Sequence, residues 1–328
     1  MIFYLSSLAS RRVNEFLSHI EIQTKLGNNS SYAALSPCPK ESANTLTLSC
    51  IILNYYNSTP LKNCLESVYR TLQKTSFEVI VVDNSQDDPG MAFIKESYPQ
   101  IRYIQNLTNT GFAKANNQAV QFAQGEILLF LNPDTILTDQ AIEKMQEHLK
   151  SNPDIGALGP KVLNTDGSLQ YSCRRFPTLM TGLFNRYSLL SLWFPDNPYT
   201  VRYMMKDFSH DEVREVDWLS GCCLMVPHAV FEKTGGFDEH YFLFNEDVDL
   251  CRTIHQNGFK VMYFPSAKIT HHISTSNSRV PVKIIIKRHL GMSHYYGKHH
   301  GENFVVRMVV NIAISLRCLS QLAFNIFK

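Results

Sequence analysis

Five consecutive apolar residues, Ile127 to Leu131, run from Gly125 and Glu126 straight into Asn132, Pro133 and Asp134. An apolar run of that length, opened by glycine and closed by proline, predicts a strand buried on both faces, with Asn132 and Asp134 at its carboxyl end. The pattern recurs upstream. LTLSCIILNYYN predicts a strand ending at Asn54 or Tyr55, then a helix from about Pro60 with Leu61, Leu65, Val68 and Leu72 on one face. FEVIVVDNSQDD predicts a second strand ending at Asp83, Met91 to Tyr98 a short helix, and IRYIQN a third strand. TGFAKANNQAVQFAQG predicts a helix closed by Gly125, and Asp139 to Lys150 predicts another. Strands alternating with helices in this way predict an α/β fold with a doubly wound, mostly parallel sheet. Ligands of such sheets bind beyond the carboxyl ends of the strands, so Asn54, Asp83 and Asp134 fall on one functional edge.

Beyond Ala157 the alternation weakens. GPKVLNTDGSLQYSCRRFPT predicts a hairpin, and residues 176 to 214 are aromatic and irregular, in the manner of a packed lid or subdomain. VDWLSGCCLMVPHAVF predicts another apolar strand, and GGFDEHYFLFNEDVDLCRTIHQNGF an acidic loop leading into a short helix. FKVMYFPSAKITHHIS predicts a closing strand that ends in His271 and His272.

Composition changes this picture mainly at the ends. A chain of 328 residues with 44% apolar and 18% charged residues is ordinary for a globular protein. The net charge of +2 conceals an asymmetry, since eleven of the 31 Lys and Arg lie in residues 250 to 328, against one of the 29 acids, Glu302. The apolar start, MIFYLSSL, is too short to span a bilayer and has Arg11 and Arg12 on the wrong side for a secretory signal. Residues 1–45 are therefore expected to be a poorly ordered extension. The eight Cys form no CxxC pair, which suits reduced thiols in the cytoplasm rather than a zinc site. The absence of GxGxxG after the first strand and of a P-loop excludes the usual dinucleotide oxidoreductases and P-loop enzymes. In the tail, FVVRMVVNIAISLRCLSQLAFNIF carries Arg307 and Arg317, which disfavour a spanning helix and suit one lying in a membrane interface. No nucleic-acid recognition motif accompanies the basic charge.

Taken in order, LSCIILNYYN, VVDNSQDD, NTGFAKANN, FLNPDT, SGCCLM, GGFDEHYFLFNEDVDL and ITHH resemble the family 2 glycosyltransferases of the GT-A fold, above all their bacterial rhamnosyltransferase-type members. The resemblance spans roughly Leu46 to Tyr296. It implies a GT-A domain over 46–275, with a nucleotide-binding half (46–150) and an acceptor half (151–275), followed by a basic amphipathic helical tail (276–328). It also implies transfer of a sugar, rhamnose in the resembling members, from a dTDP or UDP type donor to a lipid-linked or polysaccharide acceptor with inversion. The setting would be cell-surface glycan synthesis at the inner face of the cell membrane, with the tail on the membrane surface.

Site roles follow from the same resemblance. Asn54, Tyr55, Asp83, Asn109, Gly111, Asn116 and Asn132 would line the donor, with Asp83 accepting from the nucleobase. Asp134, the last position of a D-x-D whose first acid is Asn132 here, and His271 would hold Mn²⁺ or Mg²⁺. Of the pair Glu246 and Asp247, the second would be the catalytic base. Trp218, Gly221 and Asp238 would face the acceptor. One departure is that the arginine expected near position 253 is Arg252, with Thr253 after it. A sugar-phosphate nucleotidylyltransferase would need a Gly-rich basic loop after the first strand, which NYYNSTPLKN lacks. A non-catalytic carbohydrate-binding module would not need Asp83, Asp134 and Asp247.

Overall fold

The computed structural model describes residues 46–178, 181, 197–272, 280–300 and 303–326. The N-terminal extension and much of the aromatic stretch expected between 176 and 214 lie outside the described residues. The first three strands, β1 (Leu48–Asn54), β2 (Phe77–Asp83) and β3 (Arg102–Gln105), are separated by helices α1 (Ser58–Thr71) and α2 (Gly90–Ser97). Helix α3 (Phe112–Val120) then leads to β4 (Ile127–Leu131), the short β5 (Thr135–Leu137) and α4 (Ala141–Ser151). The second half runs β6 (Ile155–Leu163), β7 (Leu169–Gln170), β8 (Cys173–Arg174), α5 (Pro198–Tyr203), β9 (Arg214–Glu215), β10 (Trp218–Leu219) and β11 (Cys223–Pro227). It closes with α6 (His228–Lys233), α7 (Glu246–Gln256), β12 (Lys260–His271), α8 (Val282–His300) and α9 (Phe304–Ile326).

Among the described residues these strands form a ten-stranded sheet with the main order β3-β2-β1-β4-β11-β6-β12-β5, and β8 and β10 pair separately. The predicted alternation holds through β4, where β3, β2, β1 and β4 are parallel neighbours and Asn54 lies in register with Asp83. The sheet is mixed because β11 enters antiparallel between β4 and β6, and β5 runs antiparallel to β12. The continuous apolar runs are explained by cover on both faces. Ile51, Val82 and Phe130 point into one core with α3 and α7, while Cys50, Val81 and Leu129 point into another with α1, α2 and α4. Leu61, Leu65, Val68 and Leu72 of α1 are all buried in that second core, as their spacing predicts.

Gly125 does not close α3, which already ends at Val120 with Gln121 as its cap. Its role is close approach, since a Cβ there would lie 2.4 Å from the Ser49 backbone nitrogen. The hairpin does form, by β6 pairing with β7 around Gly167 at φ 81°.

The C-terminal helices make an antiparallel pair, in which Ser293 donates to Asn311 and Asn325 donates to the Val280 carbonyl. Val310 and Ile314 of α9 turn into the core. Val305, Val309, Ile312, Leu316 and Leu319, spaced alternately by four and three, form an exposed apolar stripe. Phe304–Asn325 is long and apolar enough to cross a membrane, and most of it is not buried.

Candidate active site

The side of the sheet edge expected to meet the nucleotide is a hydrogen-bonded polar layer. Asp83 is 1% exposed, and its carboxylate accepts from Asn54 Nδ2 (3.0 Å), the Ser85 N–H (2.9 Å) and Tyr103 OH (2.7 Å). A base that bonded to Asp83 would have to displace one of these donors. Tyr55, by contrast, is 48% exposed and lies edge-on to Tyr56, which donates to Asp87. Asn109 accepts from the Gly111 N–H at 2.9 Å and from Asn84 at 3.1 Å, fixing the entry to α3. Gly111 is required there, because at φ 88° any Cβ would meet the Phe242 carbonyl oxygen at 2.5 Å. That carbonyl accepts the first N–H of α3. Asn116 is buried and donates within the helix, to the Phe112 carbonyl.

At the end of β4, Asp134 and His271 meet across the sheet edge. His271 Nε2 lies 3.1 Å from Asp134 Oδ1 and 3.4 Å from Asn132 Nδ2. Gln170 of β7, which no sequence pattern marks, sets the imidazole. Its Nε2 donates to Asn164 Oδ1 (2.9 Å), so its Oε1 faces His271 Nδ1 at 2.7 Å and accepts that proton. The Nε2 lone pair then confronts a carboxylate oxygen, an arrangement that a cation or a second proton between them resolves. A carboxylate, an imidazole with a fixed tautomer and an amide make a donor set suited to a divalent cation.

The acid pair opens α7. Asp247 accepts from the Gly221 N–H (3.1 Å) and from Val248 N–H (2.9 Å), both of which stabilise its anion. Glu246 is buried, and its Oε2 has no hydrogen-bond partner among the described residues. Burial raises both carboxyls above the usual range, Asp247 against the pull of its two N–H donors and Glu246 with the charge of Asp247 added. Of the two, Asp247 is better placed to carry a negative charge, since both N–H donors reach it and Glu246 Oε2 has no partner among the described residues. A Cβ on Gly221 would lie 3.6 Å from Phe112 and 3.7 Å from Asp247 Cβ, which brings the start of α3 next to the acid pair. The next residue, Cys222, accepts from Asn132 N–H and from Thr135 through its carbonyl, so one dipeptide joins the acid pair to the end of β4. Arg174 of β8, also unmarked by the sequence, lies over the Trp218 ring and opposes the upward shift of Asp247.

The remaining expected residues have their polar groups already engaged. Trp218 is buried with its indole N–H spent on the Arg175 carbonyl. Asp238 does not face open space, because its carboxylate is occupied by His240 (2.7 Å), His294 (2.9 Å) and Lys298 (2.9 Å). Asp238, His240 and His294 place three ligand atoms within 4.8 Å of one another. The Lys298 ammonium already sits against that carboxylate, so the cluster supplies its own cation. Arg252 turns away from the acid pair and donates to Tyr295 OH of α8.

Comparison with known proteins agrees with this architecture. Residues 49–211 match the sequence profile of glycosyl transferase family 2. The N-acetylglucosaminyl-diphospho-decaprenol L-rhamnosyltransferase of Mycobacterium tuberculosis is 33% identical over 224 residues, covering 64% of this chain and 71% of the relative. Rhamnosyltransferase WbbL of Escherichia coli is 26% identical over 235 residues, covering 69% of this chain and 84% of its own. Among solved structures, a mannosyltransferase from Pyrobaculum calidifontis in complex with GDP-Man and Mn²⁺ superposes with a TM-score of 0.53 at 16% identity. That superposition covers 97% of this chain and 83% of the other. With the mycobacterial relative matched over most of its length, the chain belongs to glycosyltransferase family 2, among its rhamnosyltransferase-like members.

Proposed function

We propose that this glycosyltransferase moves a sugar, rhamnose, from a dTDP or UDP type donor to a hydroxyl of a lipid-linked or polysaccharide acceptor, inverting the anomeric centre. The observation that carries the reading is the placement of Asp247. Its carboxylate accepts from two backbone N–H groups, next to the start of α3 and tied through Gly221 and Cys222 to the end of β4. In a single displacement the acceptor oxygen bonds to the anomeric carbon as the bond to the diphosphate oxygen breaks, and the hydroxyl proton passes to Asp247. Asp134 and His271 would hold Mn²⁺ or Mg²⁺, which neutralises charge on the departing diphosphate when bound. An imidazole ligand favours Mn²⁺. The lipid-linked acceptor is supported by the mycobacterial relative, whose name specifies N-acetylglucosaminyl-diphospho-decaprenol.

The test is direct. Thermal shifts with dTDP, UDP and GDP, each with and without Mn²⁺, identify the nucleotide, since a ligand at about 100 times its Kd stabilises by about 2.7 kcal/mol. Transfer from dTDP-rhamnose to a short-chain polyprenyl-diphospho-N-acetylglucosamine, with the product's anomeric configuration assigned by NMR, then tests the chemistry. Retention of configuration, or no metal-dependent shift with any of the three nucleotides, rules the reading out.

The same reading places the protein on the cytoplasmic face of a membrane. The apolar stripe of α9 lies on a helix docked along α8, a geometry suited to lying in an interface. Full-length protein should sediment with anionic vesicles, and a form lacking residues 303–328 should not. Dimerisation through the stripe without vesicle binding contradicts this placement, and resistance to carbonate extraction would indicate a spanning helix.

A further inference from the structure

The acid pair is launched by a turn that the backbone alone does not favour. Phe244 and Asn245 are successive non-glycine residues at φ 69° and 73°. Residues in such conformations persist where their surroundings over-determine them, and here the surroundings include α8. Gly291 of α8 faces the turn closely enough that a Cβ on it would lie 3.3 Å from Asn245 Nδ2 and 3.5 Å from the Phe244 carbonyl oxygen. Two turns further along α8, Lys298 and His299 grip Asp249, which lies in the same first turn of α7 as Glu246 and Asp247. Lys298 Nζ is 2.8 Å from Asp249 Oδ2, and His299 Nε2 is 2.6 Å from Oδ1. The His299 and Asp249 side chains are 3% and 2% exposed, so their contact is shielded from water. Tyr241 OH completes the set around Asp249 at 3.2 Å.

We propose that Lys298 and His299 are positioning residues for sugar transfer, acting through Asp249 to fix the first turn of α7 and so the direction in which Asp247 meets the acceptor hydroxyl. The proposal rests on Asp247 being the base. Docking of α8 as such does not need these two side chains, because Ile285 and Tyr296 are buried and Tyr296 OH donates to the Thr178 carbonyl. What they supply is hydrogen-bonded cover for the buried Asp249 carboxylate, with the Lys298 ammonium, shared with Asp238, as its cation. Burial pushes the Asp249 carboxyl up, and the bonds from His299 and Lys298 outweigh it to hold the group below its usual range. Without the ammonium, a less compensated carboxylate stands within one turn of Asp247. Asp247 then ionises less readily, against its other titratable and charged neighbours Glu246, Arg174, Tyr203, Cys222 and Cys251.

The experiment uses the full chain with Lys298→Met, His299→Gln, Lys298→Arg as the conservative control, and Asp247→Asn in parallel. Lys298→Met and His299→Gln should each lower kcat for transfer from dTDP-rhamnose to the short-chain polyprenyl-diphospho acceptor by about 10- to 100-fold, with affinity for the nucleoside diphosphate unchanged. In Lys298→Met the acid limb of the pH–rate profile should move to higher pH, and Lys298→Arg should restore most of both effects. The ¹³C carboxyl resonance of Asp247, assigned by its loss in Asp247→Asn, gives a readout without substrate, and its midpoint should rise in Lys298→Met. An unchanged kcat, or an unmoved midpoint in folded Lys298→Met, overturns the proposal. So does parallel loss of nucleotide affinity, which marks a general folding role. Normal turnover by Asp247→Asn would instead sink the assignment of the base, whatever the α8 variants do.

Discussion

The two sides of the site are built on different physical plans. On the side proposed to hold the nucleotide, Asn54, Asp83, Asn109 and their partners sit at the ends of parallel strands or in the loops just beyond them, and their hydrogen bonds run mainly between adjacent elements. On the acid side, Glu246 and Asp247 follow a turn with two residues at positive φ, and their support comes from Gly221 and from a helix some fifty residues downstream. The first side is set by the register of parallel strands. The second is held by tertiary contacts that must all be present together, so it should respond to substitution at a distance.

The largest effect that would sharpen this contrast is chemical. Asp247→Asn should lower transfer by about 10²- to 10⁴-fold, the usual contribution of a general base, while leaving nucleotide affinity nearly intact. Measured kcat and Kd together check it, and near-normal turnover would contradict the assigned role. Next in size is the far edge of the sheet. Gln170→Leu removes the acceptor that fixes His271 and should weaken Mn²⁺ affinity by about 10- to 100-fold, as losses of such partners do elsewhere. Titration of Mn²⁺ by calorimetry in the presence of nucleotide would show whether it does.

Smaller effects concern stability, and they separate the two sides by sign. Glu246 is a buried carboxyl with a raised pKa, so it costs stability increasingly as pH rises through its folded value. Glu246→Gln should therefore melt higher than wild type by a margin that grows from mildly acid to mildly alkaline pH, at about 2–4 °C per kcal/mol. Asp238 and Asp249 behave oppositely. Their folded pKa values are held down, in each case against burial, by the lysine and histidine bonds. The stability they contribute is complete above their unfolded values and is lost as pH falls through the folded ones. Hydrogen exchange at the C-terminal end of α8, from His294 to His299, should accelerate in that acid range, ahead of exchange in β1 and β2. Simultaneous loss would show that the tail and the sheet are one cooperative unit.

Legibility in the sequence follows the same division. The runs Leu48 to Leu53 and Ile127 to Leu131 mark buried strands by themselves, and a residue at the end of such a strand has a known address in an α/β sheet. Nothing local marks Gln170, an amide in a two-residue strand, or Arg174, whose relation to Asp247 exists only after β8 pairs with β10. Lys298 and His299 are legible as part of a basic tail but not as partners of Asp249. Asp238 misleads for the converse reason, since an acid in a glycine-flanked loop reads as available until the helix that occupies it is seen. Gly125 reads as a helix stop because glycines often are, whereas its space is limited by Ser49, a contact the sequence does not announce.

Strand β11 carries a consequence for how the chain is made. It enters the sheet between β4 and β6, and Leu131 pairs with Cys223 far along the chain. At ordinary synthesis rates that stretch takes about 5–20 s to emerge. During that interval the outer edge of β4 has no partner, and an apolar, unpaired strand edge invites association with other chains. Biogenesis should consequently be most vulnerable just before β11 leaves the ribosome, when chaperone binding to the nascent chain would be greatest. Gly221 and Cys222 arrive with the same strand, so the element that seals the sheet also completes the site.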